Sequence, residues 1–131
     1  MIGIKAVDHI NMRVKDLKES VEFYRTNFGF EIKEDHSGEA EEPWVILGLP
    51  GVAYLCLYQH PYKVRSDDHL HIRHFGLVVE DLAQAQAELL KNRVRILYGG
   101  PVEWPRSRSI YIQDPSGYEI ELTDTFGGGL N

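Results

Sequence analysis

Four side chains able to do chemistry, His9, Cys56, His74 and Glu121, hold related places in a sequence that repeats itself. Val7-Asp8-His9-Ile10-Asn11-Met12-Arg13-Val14-Lys15-Asp16-Leu17 returns as Ile72-Arg73-His74-Phe75-Gly76-Leu77-Val78-Val79-Glu80-Asp81-Leu82. The offset is 65 (74 − 9), about half of the 131-residue chain. It persists without a gap. Trp44-Val45-Ile46-Leu47 lies over Ser109-Ile110-Tyr111-Ile112, Pro50 over Pro115, and Tyr54-Leu55-Cys56-Leu57 over Glu119-Ile120-Glu121-Leu122. His9 and His74 are thus equivalent, and Glu121 is equivalent to Cys56. Imidazole and carboxylate are nitrogen and oxygen donors and carriers of protons. Their placement by an internal symmetry makes this set the functional hypothesis.

The elements that must position these groups are legible from periodicity. Residues 7–14 read as a strand with Ile10, Met12 and Val14 on one face and His9, Asn11 and Arg13 on the other. A helix follows, opened by Asp16 with Glu19 three residues on, striped by Leu17, Val21, Tyr24 and Phe28, and stopped at Gly29. Residues 30–33 form a short strand and 34–43 a polar loop. Strands at 44–47 and 52–58 turn at Leu49-Pro50-Gly51. The second half repeats this βαβββ order. It has a strand at 75–79, a helix capped by Asp81 and Gln84 with Leu82, Ala85, Leu89 and Leu90 as its stripe, and strands at 94–98, 109–113 and 118–123. Asp114-Pro115-Ser116-Gly117 predicts a tight turn. The predicted organisation is one domain over 1–131: a first module at about 4–58, a linker at 59–71, a second module at about 72–124 and a mobile tail at 125–131. Each module is too small to stand alone, so the two should pack into a curved sheet with helices outside, an α+β fold.

Composition excludes several function classes. Hydrophobic residues make up 43% and charged residues 26%, an ordinary globular balance. Fourteen basic residues against 20 acidic ones, for a net charge of −6, argue against nucleic-acid binding. A single cysteine forbids an intrachain disulfide and fits a reducing cytoplasm. No apolar run approaches the roughly 18 residues of a membrane span.

Several motifs together carry a family likeness: Asp8-His9-Ile10, Phe23-Tyr24 with Phe28-Gly29-Phe30, His74-Phe75-Gly76-Leu77, and Asp114-Pro115-Ser116-Gly117-Tyr118-Glu119-Ile120-Glu121-Leu122. Over roughly residues 4–124 the chain resembles the vicinal oxygen chelate (VOC) superfamily, which includes glyoxalase I, bleomycin-resistance proteins, extradiol dioxygenases, methylmalonyl-CoA epimerase and fosfomycin thiol transferases. The resemblance implies paired βαβββ modules in an open half-barrel mixed sheet around a divalent metal. His9, His74 and Glu121 match the ligands by position. Such donors suit Fe(II) or Mn(II) first, with Ni(II), Co(II) or Zn(II) also compatible. Three protein ligands leave positions open for a substrate with two adjacent oxygens. Glu119 is expected to turn away from the Glu121 face.

The departures narrow the reading. Cys56 stands where glyoxalase I has a fourth, carboxylate ligand, and a thiol there is either a ligand or a small buried hydrophobe. If Cys56 only packs, the site is a His-His-Glu triad, suited to non-haem Fe(II) oxygen chemistry and to Mn(II)-dependent thiol transfer. The fosfomycin transferases share a Leu-Cys-Leu run like Leu55-Cys56-Leu57. Their small polar cation-binding loop is here Pro101-Val102-Glu103-Trp104-Pro105-Arg106-Ser107-Arg108, and their closing arginine falls near Leu130, which sets that activity aside. The resemblance makes Tyr111 a candidate for the tyrosine that assists extradiol dioxygenases, the alternative being a structural tyrosine on an amphipathic strand. Arg106 and Arg108, beside Trp104, are candidates to hold an anionic group of the substrate.

The leading expectation is therefore a metal-dependent enzyme of dioxygenase type acting on a small oxygen-rich molecule. Alternatives are a lyase or isomerase working through an enediolate, and a binding protein of the bleomycin-resistance type. A cytoplasmic homodimer follows by analogy, with His9 of one subunit completing a site with the other subunit's second module. Nucleic acid and membrane are not expected partners.

Overall fold

The computed structural model describes residue 3 and residues 10–60 and 74–125. His9, His69, His71 and the expected tail beyond residue 125 lie outside the described residues. The chain divides into two compact units, residues 1–63 and 64–131.

In the first unit the elements are β1 (Ile10–Val14), α1 (Leu17–Phe28), β2 (Glu31–His36), β3 (Trp44–Leu49) and β4 (Ala53–Gln59). The sheet order is β1-β4-β3-β2, with β1 parallel to β4 and the other pairs antiparallel. A parallel pair needs a long crossover, and α1 with the β2–β3 hairpin supplies it. Met12 and Val14 are buried while Asn11 and Arg13 are exposed, as the alternation requires. The Asp16 carboxylate accepts the Glu19 N–H at 2.8 Å, capping α1. Gly29 closes it in the left-handed region with φ 66. Leu17, Ser20 and Tyr24 are the buried residues of α1, and Tyr24 stacks on Phe30 with centroids 5.9 Å apart.

Several strand boundaries differ from the sequence reading, two of them with a clear physical reason or consequence. β2 runs on to His36, through what was expected to be the start of a loop, because a bulge between Ile32 and Glu34 keeps it paired to β3. β4 includes Gln59, the first residue of the expected linker. The Gln59 side chain accepts the Leu17 N–H at 2.9 Å and donates to the Lys15 carbonyl at 2.6 Å, tying β4 to the start of α1.

The second unit comprises β5 (His74–Val78), α2 (Leu82–Lys91), β6 (Val102–Glu103), β7 (Arg108–Gln113) and β8 (Glu119–Thr123), in the order β5-β8-β7-β6. Asp81 caps α2 by accepting the Gln84 N–H at 2.9 Å. Leu82 and Leu89 are buried, whereas Leu90 is exposed. The strand expected at 94–98 does not form. Arg93 and Tyr98 have φ of 61 and 57, and Gly99 and Gly100 are also left-handed, so the chain turns instead of extending. One bridge, Ile96 to Ile112, is what remains of that ladder, and the fourth strand is the short β6. The turn after β7 follows the sequence closely. Asp114 accepts the N–H groups of Ser116 and Tyr118 at 2.9 and 2.8 Å, and Gly117 takes φ 95.

The sequence repeat is also a repeat of register. Asn11 pairs with Cys56 and Gly76 with Glu121; Ile46 pairs with Cys56 and Tyr111 with Glu121. Each pair of the second unit stands 65 residues after its counterpart (76 − 11, 121 − 56, 111 − 46). A one-residue slip in either sheet would turn every side chain to the other face, so this agreement places Glu121 and Cys56 at equivalent points on equivalent faces.

Candidate functional site

The site is built on the face of the second sheet opposite its buried Ile110, Ile112, Ile120 and Leu122. Pairing sets His74 beside Glu119, Gly76 beside Glu121 and Val78 beside Thr123 across β5 and β8. Tyr111 and Ser109 join the same face from β7, opposite Glu121 and Thr123. Gly76 has no side chain, so the ground in front of Glu121 is open and the His74 imidazole leans into it.

His74 Nε2 lies 3.3 Å from Glu121 Oε2, and 41% of the His74 side chain is exposed. Two donors held about 2.1 Å from one ion at a right angle stand about 3 Å apart, so this pair has the spacing of adjacent ligands. The other carboxylate oxygen is already held: the fully buried Ser109 donates its hydroxyl to Glu121 Oε1 at 2.6 Å. One oxygen is anchored and the other faces the imidazole. Among the described residues no group of three or more His, Cys, Asp or Glu side chains is arranged to hold a metal ion. His9, the third expected donor, lies outside them.

Tyr111 is buried and meets His74 edge-on, with centroids 6.0 Å apart. Burial, and then the Glu121 carboxylate that its hydroxyl contacts, push its pKa up, so the phenol keeps its proton at neutral pH. The indole of Trp104 also bonds this hydroxyl. Arg108 is placed elsewhere. It begins β7 in the alternation of Ile110 and Ile112, and its guanidinium faces Asp124 at 3.7 Å and Glu103 at 4.0 Å. Arg106 lies exposed in the loop before β7. The structure therefore brings together His74, Glu121 and Tyr111 of the expected set, and not Arg106 or Arg108.

Two neighbours were not singled out from the sequence, Ser109 and Tyr98, and a third, Glu119, was placed on the wrong face. Ser109 was findable, since it stands two residues before Tyr111 on one strand. Glu119 corrects the expectation that it turns away. Residues two apart on a strand share a face, and its carboxylate lies 4.0 Å from His74 Nδ1. Tyr98 had no signal, because its position depends on the left-handed turn that replaces the expected strand.

In the first unit the equivalent face carries Cys56, 7% exposed, between Asn11 and Ile46. Burial raises its thiol pKa, against a hydrogen bond with Tyr58 that lowers it, and the Glu34 carboxylate adds to the rise. The thiol is protonated and packed. Further along, His36 stacks on Trp44 at 4.0 Å and Trp44 on Tyr58 at 5.6 Å.

Comparison with known proteins agrees with this architecture. Residues 6–122 match the family described as the Glyoxalase/Bleomycin resistance protein/Dioxygenase superfamily. The chain is 31% identical over 119 residues to a metallothiol transferase FosB of Staphylococcus epidermidis, covering 91% of this chain and 81% of that protein. It is 24% identical over 126 residues to the lactoylglutathione lyase of Escherichia coli O157:H7, covering 92% and 93%. A glyoxylase/bleomycin resistance protein/dioxygenase domain from Frankia sp. EAN1pec superposes with a TM-score of 0.78 at 17% identity, covering 92% of this chain and 98% of that one. A family match over nearly the whole chain, a relative above 30% identity and a repeated βαβββ register leave one assignment: the chain belongs to the glyoxalase/bleomycin resistance protein/dioxygenase superfamily.

Proposed function

We propose that this chain is a divalent-metal-dependent enzyme acting on a small molecule that presents two adjacent oxygens, with His9, His74 and Glu121 as the protein donors. The observation that carries the reading is the His74–Glu121 pair, 3.3 Å apart, with one carboxylate oxygen anchored by Ser109 and the other facing the imidazole. A divalent ion held there would polarise the oxygens of the bound substrate. The protein's own part is to orient those oxygens and to manage a proton. Tyr111 is buried beside Glu121 with its hydroxyl protonated and bonded to that carboxylate, so its part is to orient Glu121 and to hold a proton at the site. Fe(II) or Mn(II) is the favoured ion, and Ni(II), Co(II) or Zn(II) also suit the donors.

Within this class we favour dioxygenase-type chemistry, because a His-His-Glu set with a protonated, packed Cys56 offers three protein ligands and leaves the remaining positions open. Transfer of a thiol to an electrophilic substrate is the second reading, supported by the likeness to a metallothiol transferase. A lyase or isomerase reaction through an enediolate is supported by the likeness to a lactoylglutathione lyase, though it lacks the fourth carboxylate at residue 56. The working form is proposed to be a cytoplasmic homodimer.

The test is elemental analysis of the untagged protein beside His74→Ala. About one Fe or Mn per chain, lost in the variant, is the expected result. No metal in either, even after reconstitution, would leave a ligand-binding protein. Turnover that persists without dioxygen would move the assignment to the thiol-transfer or lyase branch.

A further inference from the structure

Glu119 has no role in the site as described so far, yet it is built into it. Its carboxylate is 14% exposed, shares the Glu121 face of β8, and stands in register with His74 on the neighbouring strand. One oxygen accepts a hydrogen bond from the Tyr98 hydroxyl. The other lies 4.0 Å from His74 Nδ1, on the side of the ring away from Glu121. Tyr98 reaches it from a left-handed residue, φ 57, between Leu97 and Gly99. A non-glycine residue in that region is uncommon and strained. Tyr98 is also 67% exposed, so burial of its ring does not explain the strain.

We propose that Glu119, braced by Tyr98, is the positioning carboxylate for His74. The inference rests on the metal-site reading above. A neutral imidazole that presents its Nε2 lone pair must keep its proton on Nδ1, and that N–H needs an acceptor. Glu119 is placed to accept it after a small rotation of the ring, which would select the tautomer, aim Nε2 toward Glu121 and raise its basicity. His74 then sits between two anchored carboxylates: Glu121 held by Ser109 and Glu119 held by Tyr98. Glu119 is a positioning residue, because it acts through His74 and not on the substrate.

Binding of Co(II) to the metal-free protein, followed by isothermal titration and by the visible absorption spectrum, tests this. Glu119→Ala should weaken Co(II) binding about tenfold to a hundredfold and shift the visible bands, with the melting temperature of the metal-free protein unchanged. Glu119→Gln keeps an acceptor without the charge and should return most of the wild-type spectrum. Tyr98→Phe should weaken binding several-fold. Wild-type affinity and spectrum in Glu119→Ala, with binding abolished in His74→Ala, would overturn this proposal and leave the metal site standing. Absence of Co(II) binding in the unaltered protein would overturn both. Should Glu119→Ala fail to fold, Tyr98→Phe decides: an unchanged affinity and spectrum in that variant would overturn the proposal.

Discussion

At the scale of single residues, the two equivalent positions 56 and 121 show how surroundings set chemistry. Both stand on an inner strand of their own sheet, beside a glycine or asparagine on one neighbouring strand and an aliphatic or aromatic residue on the other. Glu121 is partly exposed and its oxygens are shared between Ser109 and His74. Cys56 is buried, and its thiol is held above the ordinary range mainly by desolvation. A raised thiol pKa means less thiolate at any pH near neutrality, and the thiolate is the reactive form. Alkylation of Cys56 by iodoacetamide at pH 8 should therefore be much slower in the native protein than in urea. Equal rates in the two would show that Cys56 is an accessible, activated thiol.

At the scale of elements, α1 combines a strong start with a flaw. The Asp16 cap satisfies a helix-end donor, and Asp16→Ala should cost about 1 kcal/mol in urea unfolding. Ser20 is fully buried, and among the described residues its hydroxyl has no hydrogen-bond partner. An unsatisfied buried hydroxyl costs of order 1–3 kcal/mol, so Ser20→Ala should raise stability by about 1 kcal/mol. A loss of similar size would mean that the hydroxyl is bonded after all. These elements were largely legible in the sequence, since a cap, a glycine stop and a stripe at spacings of three and four are local signals. Leu90 shows the limit: the stripe admits it, but the face that packs ends at Leu89.

At the scale of the molecule, two features have measurable consequences. Asp124 accepts the Arg108 N–H at 2.9 Å, and this bond above all, with help from Thr125 and the Arg108 charge, lowers its carboxyl pKa. A folded pKa below the unfolded one contributes stability that is present above the unfolded value and is lost as pH falls through the folded one. The melting temperature of Asp124→Asn should thus lie below the wild type at pH 7, and the gap should close in strong acid. A gap that is constant with pH would refute the linkage. The second feature is that β1 and β5 each end their own sheet. Sheet edges are ordinarily covered, and pairing with a second copy predicts a homodimer of about twice 15.0 kDa in sedimentation equilibrium. A metal-loaded monomer would exclude a site shared between subunits.

The repeat at 65 residues, the histidine and carboxylate placed by it, the capped helices and the Asp114–Gly117 turn were determined by the sequence alone. They depend on short-range patterns, which one strand or one helix carries in itself. The chain from residue 94 to 103 was decided by tertiary structure, because left-handed backbone at Arg93 and Tyr98 has no signature in side chains that otherwise favour strands. The surroundings of His74 were decided there too. Periodicity says which face Glu119, Ser109 and Tyr111 occupy. Only the pairing of β5, β7 and β8 places them around one imidazole, since register between strands distant in sequence is set by how whole faces bury together.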